Sequence, residues 1–256
     1  MSPQIFASDP DRNDTPVISV IIPTYCEEKL LEHVLRQFTP EIRRALRCEV
    51  IVSDGGSTDG TLEIARQHAD SVVLHNGPHR QTIAEGRNAG AAQARGSVLM
   101  FVNADTRLRD PAGFLRGALE ALSGPGVVAL TCSVYVYPEE ETLSDKVFQR
   151  FYNLVFWAAN VVRVGMGRGE CQIIRRDVFE RVGGNAASLA AGEDFELYTR
   201  LIREGKVKFL WGHTVYESPR RYRKLGYLRV TGMWFRNAVS VKFFGRSAIG
   251  HWMPVR

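Results

Sequence analysis

No run of about 18 uncharged apolar residues occurs in this chain, so nothing in it reads as a membrane-spanning helix. The two nearest stretches, 147–166 and 225–245, are interrupted by Arg150 and Arg163 and by Arg229, Arg236 and Lys242. Each reads either as an amphipathic surface helix with aromatic anchors or as a helix packed on the core. Cysteine is scarce and dispersed. Cys26, Cys48, Cys132 and Cys171 make no C-x-x-C pair, which excludes metal-cluster spacing and points to reduced thiols. The polar, proline-bearing stretch 1–16 lacks a basic segment followed by an apolar one, so it reads as a disordered leader and not as a signal peptide. No G-x-G-x-x-G follows the first strand-like run, which excludes a dinucleotide-binding fingerprint. Internal repeats and low-complexity linkers are also missing, and one domain is the simpler expectation.

What is present is the composition of a folded protein: 256 residues, 45% hydrophobic and 24% charged, enough to bury a substantial core. The formal charge is only +5, but it is unevenly distributed. Residues 203–256 carry 12 Lys or Arg against Glu204 and Glu217 alone, a local charge of +10, while the preceding 202 residues sum to −5. An acidic body with a basic tail implies an anionic partner held at the C-terminal end. Nucleic acid is not expected, because the tail contains no recognisable nucleic-acid module. A phospholipid surface and a phosphorylated small substrate are the other two candidates.

The first half alternates short β-branched runs with helical stretches. Strands are expected at 17–22, 48–53, 71–75 and 97–102, the last almost wholly apolar and so buried on both faces. Helices are expected at about 27–38, where Pro40 stops or kinks the chain, at about 58–68 with Ser57 or Thr58 as cap, and at 81–95. Asp110 and Pro111 open another. This alternation predicts an α/β fold with a mostly parallel, Rossmann-like sheet flanked by helices, followed by a C-terminal amphipathic helical tail.

Ligands bind such sheets outside the carboxyl ends of the strands. Three segments fall there: PTYCEE at 23–28, DGGSTD at 54–59 and NADT at 103–106, each with a carboxylate. Converging carboxylates repel one another and require a cation, a proton or hydrogen-bond donors. A divalent ion, Mg²⁺ or Mn²⁺, bridging a phosphorylated ligand meets that need. Asp54 has the alternatives of taking donors from a base or ribose, or of building an Asx turn; for Asp59 the turn is the expectation.

These segments, in their order and spacing, resemble the family 2 glycosyltransferases of the GT-A fold. The resemblance rests on SVIIPTYCEE at 19–28, EVIVSDGGSTDGT at 49–61, GRNAG at 86–90, FVNAD at 101–105, ECQIIRRDVFERVGG at 170–184 and GEDFEL at 192–197. It covers about 17–208. It implies a glycosyltransferase domain at 17–218, with a nucleotide-binding half at 17–106, an acceptor half at 107–218, and a basic, aromatic helical tail at 219–256. Pro23, Thr24, Tyr25 and Glu27 would line the nucleotide pocket, Asp54 would hold the base, and Arg87 would lie near the groove. Asn103, Ala104 and Asp105 stand at the family's Asp-x-Asp metal motif, with Asp105 on the metal. Asn103 departs from that motif, since an amide accepts from ribose or ligates only weakly, and Cys26 replaces the Asn common after the tyrosine.

The resemblance makes Asp194 the general base and Glu193 its acceptor-side neighbour, an inverting transfer requiring a carboxylate that deprotonates the acceptor. A helix at 194–204 would favour the ionised form of Asp194; capping of that helix is the alternative role for the pair. Gly169, in the glycine-rich 165–169 segment, belongs to the acceptor mouth. Arg220, Arg221 and Lys224 would close on the pyrophosphate as the sugar leaves, or form a solvated or lipid-facing surface. His213 is a further metal-ligand candidate, although a lone His is more often structural. Arg168, Arg175 and Arg176 cannot be told from surface charges.

The expected reaction is inverting, metal-dependent sugar transfer from a nucleotide-diphosphate sugar to an acceptor hydroxyl or lipid phosphate, in cell-envelope or lipid-linked glycan synthesis. The aromatics Phe151, Tyr152, Phe156 and Trp157, with Trp234, Phe235, Phe243 and Phe244, suit an apolar acceptor at a membrane face, or else the core. The expected location is cytoplasmic, peripheral on the inner face of the membrane. A non-catalytic nucleotide-sugar sensor is the alternative, supported by Asn103 and opposed by Asp105 and Asp194. A sugar-nucleotide pyrophosphorylase is disfavoured because its Gly-rich, basic N-terminal loop is missing.

Overall fold

The computed structural model describes residues 4–7 and 15–248. Its strands are β1 (Gln4–Ala7), β2 (Ile18–Thr24), β3 (Cys48–Asp54), β4 (Ser71–Leu74), β5 (Val98–Val102), β6 (Arg107–Leu108), β7 (Val127–Val136), β8 (Cys171–Arg175) and β9 (Lys206–Glu217). They form one sheet in the order β1-β4-β3-β2-β5-β8-β7-β9-β6. β2 pairs in parallel with β3 on one side and β5 on the other, and β3 with β4. The chain therefore steps outward from β2 through β4 and returns to the opposite side of β2, opening a crevice at the carboxyl ends of β2 and β5. Beyond β5 the sheet becomes mixed, because β8 runs antiparallel to both β5 and β7.

Every residue of β3 and of β5 is buried, as required of strands covered on both faces. One core cluster joins Val20, Val50 and Met100 to α1 (Leu31–Leu35), α3 (Thr61–His68) and α5 (Pro111–Leu122). The other joins Ile21, Ile51 and Phe101 to α4 (Ile83–Gln93), α7 (Arg176–Arg181) and α8 (Glu193–Glu204). The two sets come from alternate strand positions. Gly90 lets α4 lie close on β2, for a Cβ there would sit 2.4 Å from the Ile21 Cγ2.

Local expectations shift in detail. The helix expected at 27–38 contracts to α1, and Thr39 caps a separate α2 (Pro40–Ala45). Neither Ser57 nor Thr58 caps α3, whose N-cap is Gly60. The disordered leader needs correction: Gln4–Ala7 pairs antiparallel with β4 as an edge strand, and residues 1–3 and 8–14 lie outside the described residues.

Three helices remain: α6 (Leu143–Val161), α9 (Arg220–Leu225) and α10 (Tyr227–Phe244). The expected tail packs on the domain. Tyr222 and Val230 are buried against Val136, with Phe148, Tyr227 and Trp234 around them. Asp145, in the first turn of α6, accepts from Arg223 and Tyr227 and so ties α6 to α9 and α10. Residues 249–256 of that tail lie outside the described residues. Among the described residues no helix is long and apolar enough to cross a membrane.

Candidate active site

The crevice at the strand ends is a cleft of about 740 Å³. Pro23, Thr24, Tyr25 and Glu27 leave β2 along one wall, Gly55 follows β3, and Asn103, Ala104 and Asp105 follow β5. The loop into α4 adds Arg80 and Gln81, which sequence reasoning missed. Arg80 lies over the Tyr25 ring, 4.6 Å from its centroid. Their position, just before the Thr82–Glu85 capping box that starts α4, is the signal that marks them as strand-end loop residues.

Asp54, expected to hold the base, ends β3 and is not among the residues that line this cleft. It is fully buried, and its carboxylate accepts from Thr24 Oγ1, Ser57 Oγ and the backbone N–H groups of Gly56 and Ser57. Four donors fill the lone-pair sites of a carboxylate. Asp54 instead fixes the loop that presents Gly55 and Thr24. Asp59 behaves as the turn residue expected, accepting from the backbone N–H groups of Thr61 and Glu28.

Arg87 joins the two halves of the site. Buried on α4, it donates to Glu193 Oε1 at 2.8 Å, to Asn103 Oδ1 at 3.2 Å and to the Gly169 carbonyl at 2.7 Å. The amide at Asn103 is thus suited to a neighbour that is already a cation donor. Asp105 takes a different partner: Arg220 Nη2 lies 3.0 Å from its Oδ2 and 4.0 Å from Glu27 Oε2. Arg221 also lines the cleft, whereas Lys224 is exposed and lies outside its wall. His213 is not brought to the site. Its ring stacks edge-on against Phe114 beside Gly117 of α5. Arg175 and Arg176 pair on the surface with Asp177 and Glu180.

Asp194 faces the cleft at the start of α8. Its N-cap is Gly192 at φ 80°, a left-handed conformation that favours glycine. Asp194 Oδ1 accepts from the Phe195 N–H at 2.7 Å, while Oδ2 approaches Gly169 so closely that a Cβ there would sit 3.1 Å away. The helix terminus does not keep this carboxyl as acidic as expected. Burial, reinforced by the Glu193 charge, pushes it up to about 7, with Arg87 opposing. A carboxyl so tuned is matched to proton abstraction near neutral pH.

Behind Gly169 lies a buried ionic cluster that sequence reasoning could not separate from surface charge. Arg168 donates to Glu170 Oε2 at 3.2 Å and to Gln149 Oε1 at 3.0 Å, and its Nη2 is 3.4 Å from Glu217 Oε1. Glu217 also accepts from Tyr222 and from Gln149, each at 2.6 Å. Burial and the nearby Glu170 charge push the Glu217 carboxyl up to about 8. This cluster pins the Gly167–Gly169 backbone and the root of α9 to one anchor. The outer wall of the cleft is apolar and aromatic, made by Tyr152, Val155 and Phe156 of α6 and Trp234, Phe235 and Ala238 of α10.

The sequence model described as "Glycosyl transferase family 2" matches residues 19–183. The glycosyltransferase AglE of Haloferax volcanii is 28% identical over 204 residues, covering 78% of this chain and 66% of that protein. The chain spans two thirds or less of the length of the curated relatives that it matches. The mannosyltransferase PcManGT from Pyrobaculum calidifontis, solved with GDP-Man and Mn²⁺, superposes with a TM-score of 0.64 at 23% identity, over 89% of this chain and 66% of that one. Glucosyl-3-phosphoglycerate synthase from Mycobacterium tuberculosis, solved with Mn²⁺, UDP-Glc and phosphoglyceric acid, superposes with a TM-score of 0.61 at 19% identity, over 92% and 82%. The mostly parallel sheet with flanking helices is that of the GT-A fold. The chain belongs to glycosyl transferase family 2.

Proposed function

We propose that this glycosyltransferase moves a sugar with inversion from a nucleotide-diphosphate sugar to an acceptor hydroxyl or lipid phosphate. The observation that carries the reading is Asp194, which lines the same cleft as the donor-side strand ends, with its Oδ2 beside Gly169 and its carboxyl raised to about 7. For a hydroxyl acceptor, the acceptor oxygen forms a bond to the anomeric carbon and the bond from that carbon to the diphosphate breaks. The acceptor proton goes to Asp194, and the nucleoside diphosphate leaves with the bonding electron pair.

Tyr25 and the loop held by Asp54 form the nucleotide end of the cleft, and Arg220 and Arg221 flank the place of the diphosphate. A divalent cation fits the donor set: Asp105 supplies a carboxylate that already holds a cationic group 3.0 Å away, with Glu27 beside it. Among the described residues no three His, Cys, Asp or Glu side chains converge to enclose an ion. The diphosphate oxygens would complete the coordination, the arrangement Mg²⁺ and Mn²⁺ favour, and the bound ion would neutralise charge on the leaving group. The Mn²⁺ and the GDP-Man or UDP-Glc in the complexes of the structural neighbours support this reading.

The aromatic outer wall suits an acceptor with an apolar chain, as in lipid-linked glycan synthesis, and the basic tail suits contact with an anionic membrane. The test is a panel of nucleotide-sugars scored for Mn²⁺-dependent protection against unfolding, followed by nucleoside diphosphate release with an acceptor panel. Protection by a nucleotide-sugar, with release that depends on an acceptor and vanishes in Asp194→Asn, is expected. Binding without release by the wild-type protein under every acceptor would favour the sensor reading, to which Asn103 at the metal motif lends its weight.

A further inference from the structure

Helix α6 is folded with its polar stripe inward. Asp145, Gln149 and Asn153 are 0%, 0% and 1% exposed, whereas Leu143, Val147, Leu154 and Val161 on the opposite stripe are 77%, 64%, 52% and 62% exposed. The buried amides are employed: Gln149 joins the Arg168–Glu217 cluster, and Asn153 exchanges hydrogen bonds with both backbone groups of Val134. The outward apolar stripe has no such use inside the molecule. Helix α10 packs beside α6 through Trp234, which meets the Phe148 and Tyr152 rings, and it carries exposed apolar groups of its own: Leu228, Phe235 and Phe243 are 91%, 72% and 71% exposed. A surface facing water rarely exposes so many large apolar groups on two adjacent helices.

We propose that this α6–α10 face docks into one leaflet of an anionic membrane. Charge selects that occupant over a protein partner. The exposed cations on the two helices are interleaved with the apolar groups: Arg150 on α6, with Lys146, which also pairs with Glu141 at 3.4 Å, and Arg229, Arg236 and Lys242 on α10. The acid carried by α6 is Asp145, which is buried on the inner side, and 220–246 contains no acid at all. Large apolar groups beside snorkelling cations, on helices too charged to span a bilayer, describe elements that lie in the interface. Phe151 of α6 and Phe235 of α10 both line the cleft and are largely exposed, so the rim of the cleft borders the docked face. Docking stands on this surface alone. Its use, to admit an acceptor with an apolar chain laterally from the leaflet, rests on the proposed transfer.

The test is flotation of the full chain with vesicles of phosphatidylcholine and phosphatidylglycerol in equal parts, against phosphatidylcholine alone, at low and high salt. The wild-type protein is expected to float with the anionic vesicles and to be released by salt. Val147→Glu with Leu154→Glu, neither of which lines the cleft, should weaken partitioning by about tenfold or more. The unfolding midpoint and the nucleotide-sugar protection should be unchanged, showing that the fold and the donor site are intact. Wild-type protein that ignores anionic vesicles, or a double variant that floats equally well, overturns the proposal. So does a wild-type dimer that the double variant splits, since a second copy would then cover the face. Failure of nucleotide-sugar protection, with flotation retained, counts against the proposed transfer and not against the docking.

Discussion

Arg220 Nη2 stands 3.0 Å from Asp105 Oδ2, so the carboxylate expected to hold the metal is held by a guanidinium. Asp105 follows β5 and Arg220 begins α9, 115 residues later, and the pair bridges the donor rim to the segment after the last long strand. A metal ion bound to Asp105 would lie beside the Arg220 guanidinium, and the two positive charges repel. The diphosphate accepts bidentate hydrogen bonds from arginine, so donor binding is expected to draw Arg220 away from Asp105.

That exchange predicts opposite effects from one substitution. In Arg220→Gln, Mn²⁺ alone should bind more tightly, by up to about fivefold, since a partly exposed ion pair of about 0.2–1 kcal/mol no longer competes. The nucleotide-sugar should bind more weakly in the same variant, because a phosphate partner is lost. Titration of Mn²⁺ by electron paramagnetic resonance, with and without nucleoside diphosphate, separates the two. Weaker Mn²⁺ binding in the nucleotide-free variant would remove the competition.

With Asp194 as the proposed base, its carboxyl predicts a pH profile. Its value of about 7 places the loss of the base on the acid side, so kcat/KM should rise with pH and level off above about 7. An unperturbed aspartate near 3.9 would level off far lower. Asp194→Asn should retain donor protection and lose turnover. Stability carries the opposite sign, because the folded state holds the proton that the unfolded state has released. The Asp194 contribution to stability is therefore complete below about 4 and falls as pH rises towards 7. Denaturation of wild type and Asp194→Asn at pH 4 and 7 checks this: the gap should shift in favour of Asn at the higher pH.

The donor side was legible in the sequence because apolar strands followed at once by polar residues mark strand ends, and the crossover order brings three of those ends together. The register of hydrogen bonds within those ends was not. Asp54 ends β3 and Asp105 follows β5 by three residues, so both mark strand ends, yet one is saturated by its own loop and the other faces the cleft. Arg168 could not be told from surface charge because Gln149 and Glu217, which close over it beside the adjacent Glu170, are 19 and 49 residues away. Helix α6 was the most ambiguous. Amphipathic spacing separates two faces, but it does not say which one turns inward, and here buried amide partners on β7 and around Arg168 decide it.

Cys26 occupies a left-handed backbone conformation at φ 52°, with its N–H donating to Ser57 Oγ at 2.7 Å. That conformation explains why Asn is common at this place in the family, since Asn enters it more readily than other side chains bearing a Cβ. Cys26→Asn should therefore stabilise the fold by about 0.5–1 kcal/mol. The measurement is the midpoint of urea unfolding at unchanged slope. A lowered midpoint would show that the thiol's contact with the Thr58 side chain matters more than the strain.

The Arg87–Glu193 pair makes the last prediction, because both partners act on Asp194 while holding the two halves together. Their side chains are only 1% and 7% exposed, so removing one leaves the other charged and unpaired. Arg87→Met should cost about 3–5 kcal/mol, the range for breaking a buried ion pair. Glu193→Gln should cost less, because an amide oxygen still accepts from the guanidinium. The two variants must also move Asp194 in opposite directions. The Glu193 charge raises its pKa and the Arg87 charge lowers it, so the acid limb of kcat/KM should fall below 7 in Glu193→Gln and rise above 7 in Arg87→Met. A purely structural pair would lower activity in both variants with no displacement of the limb. Opposite displacements at the same pair identify it as the element that tunes the base.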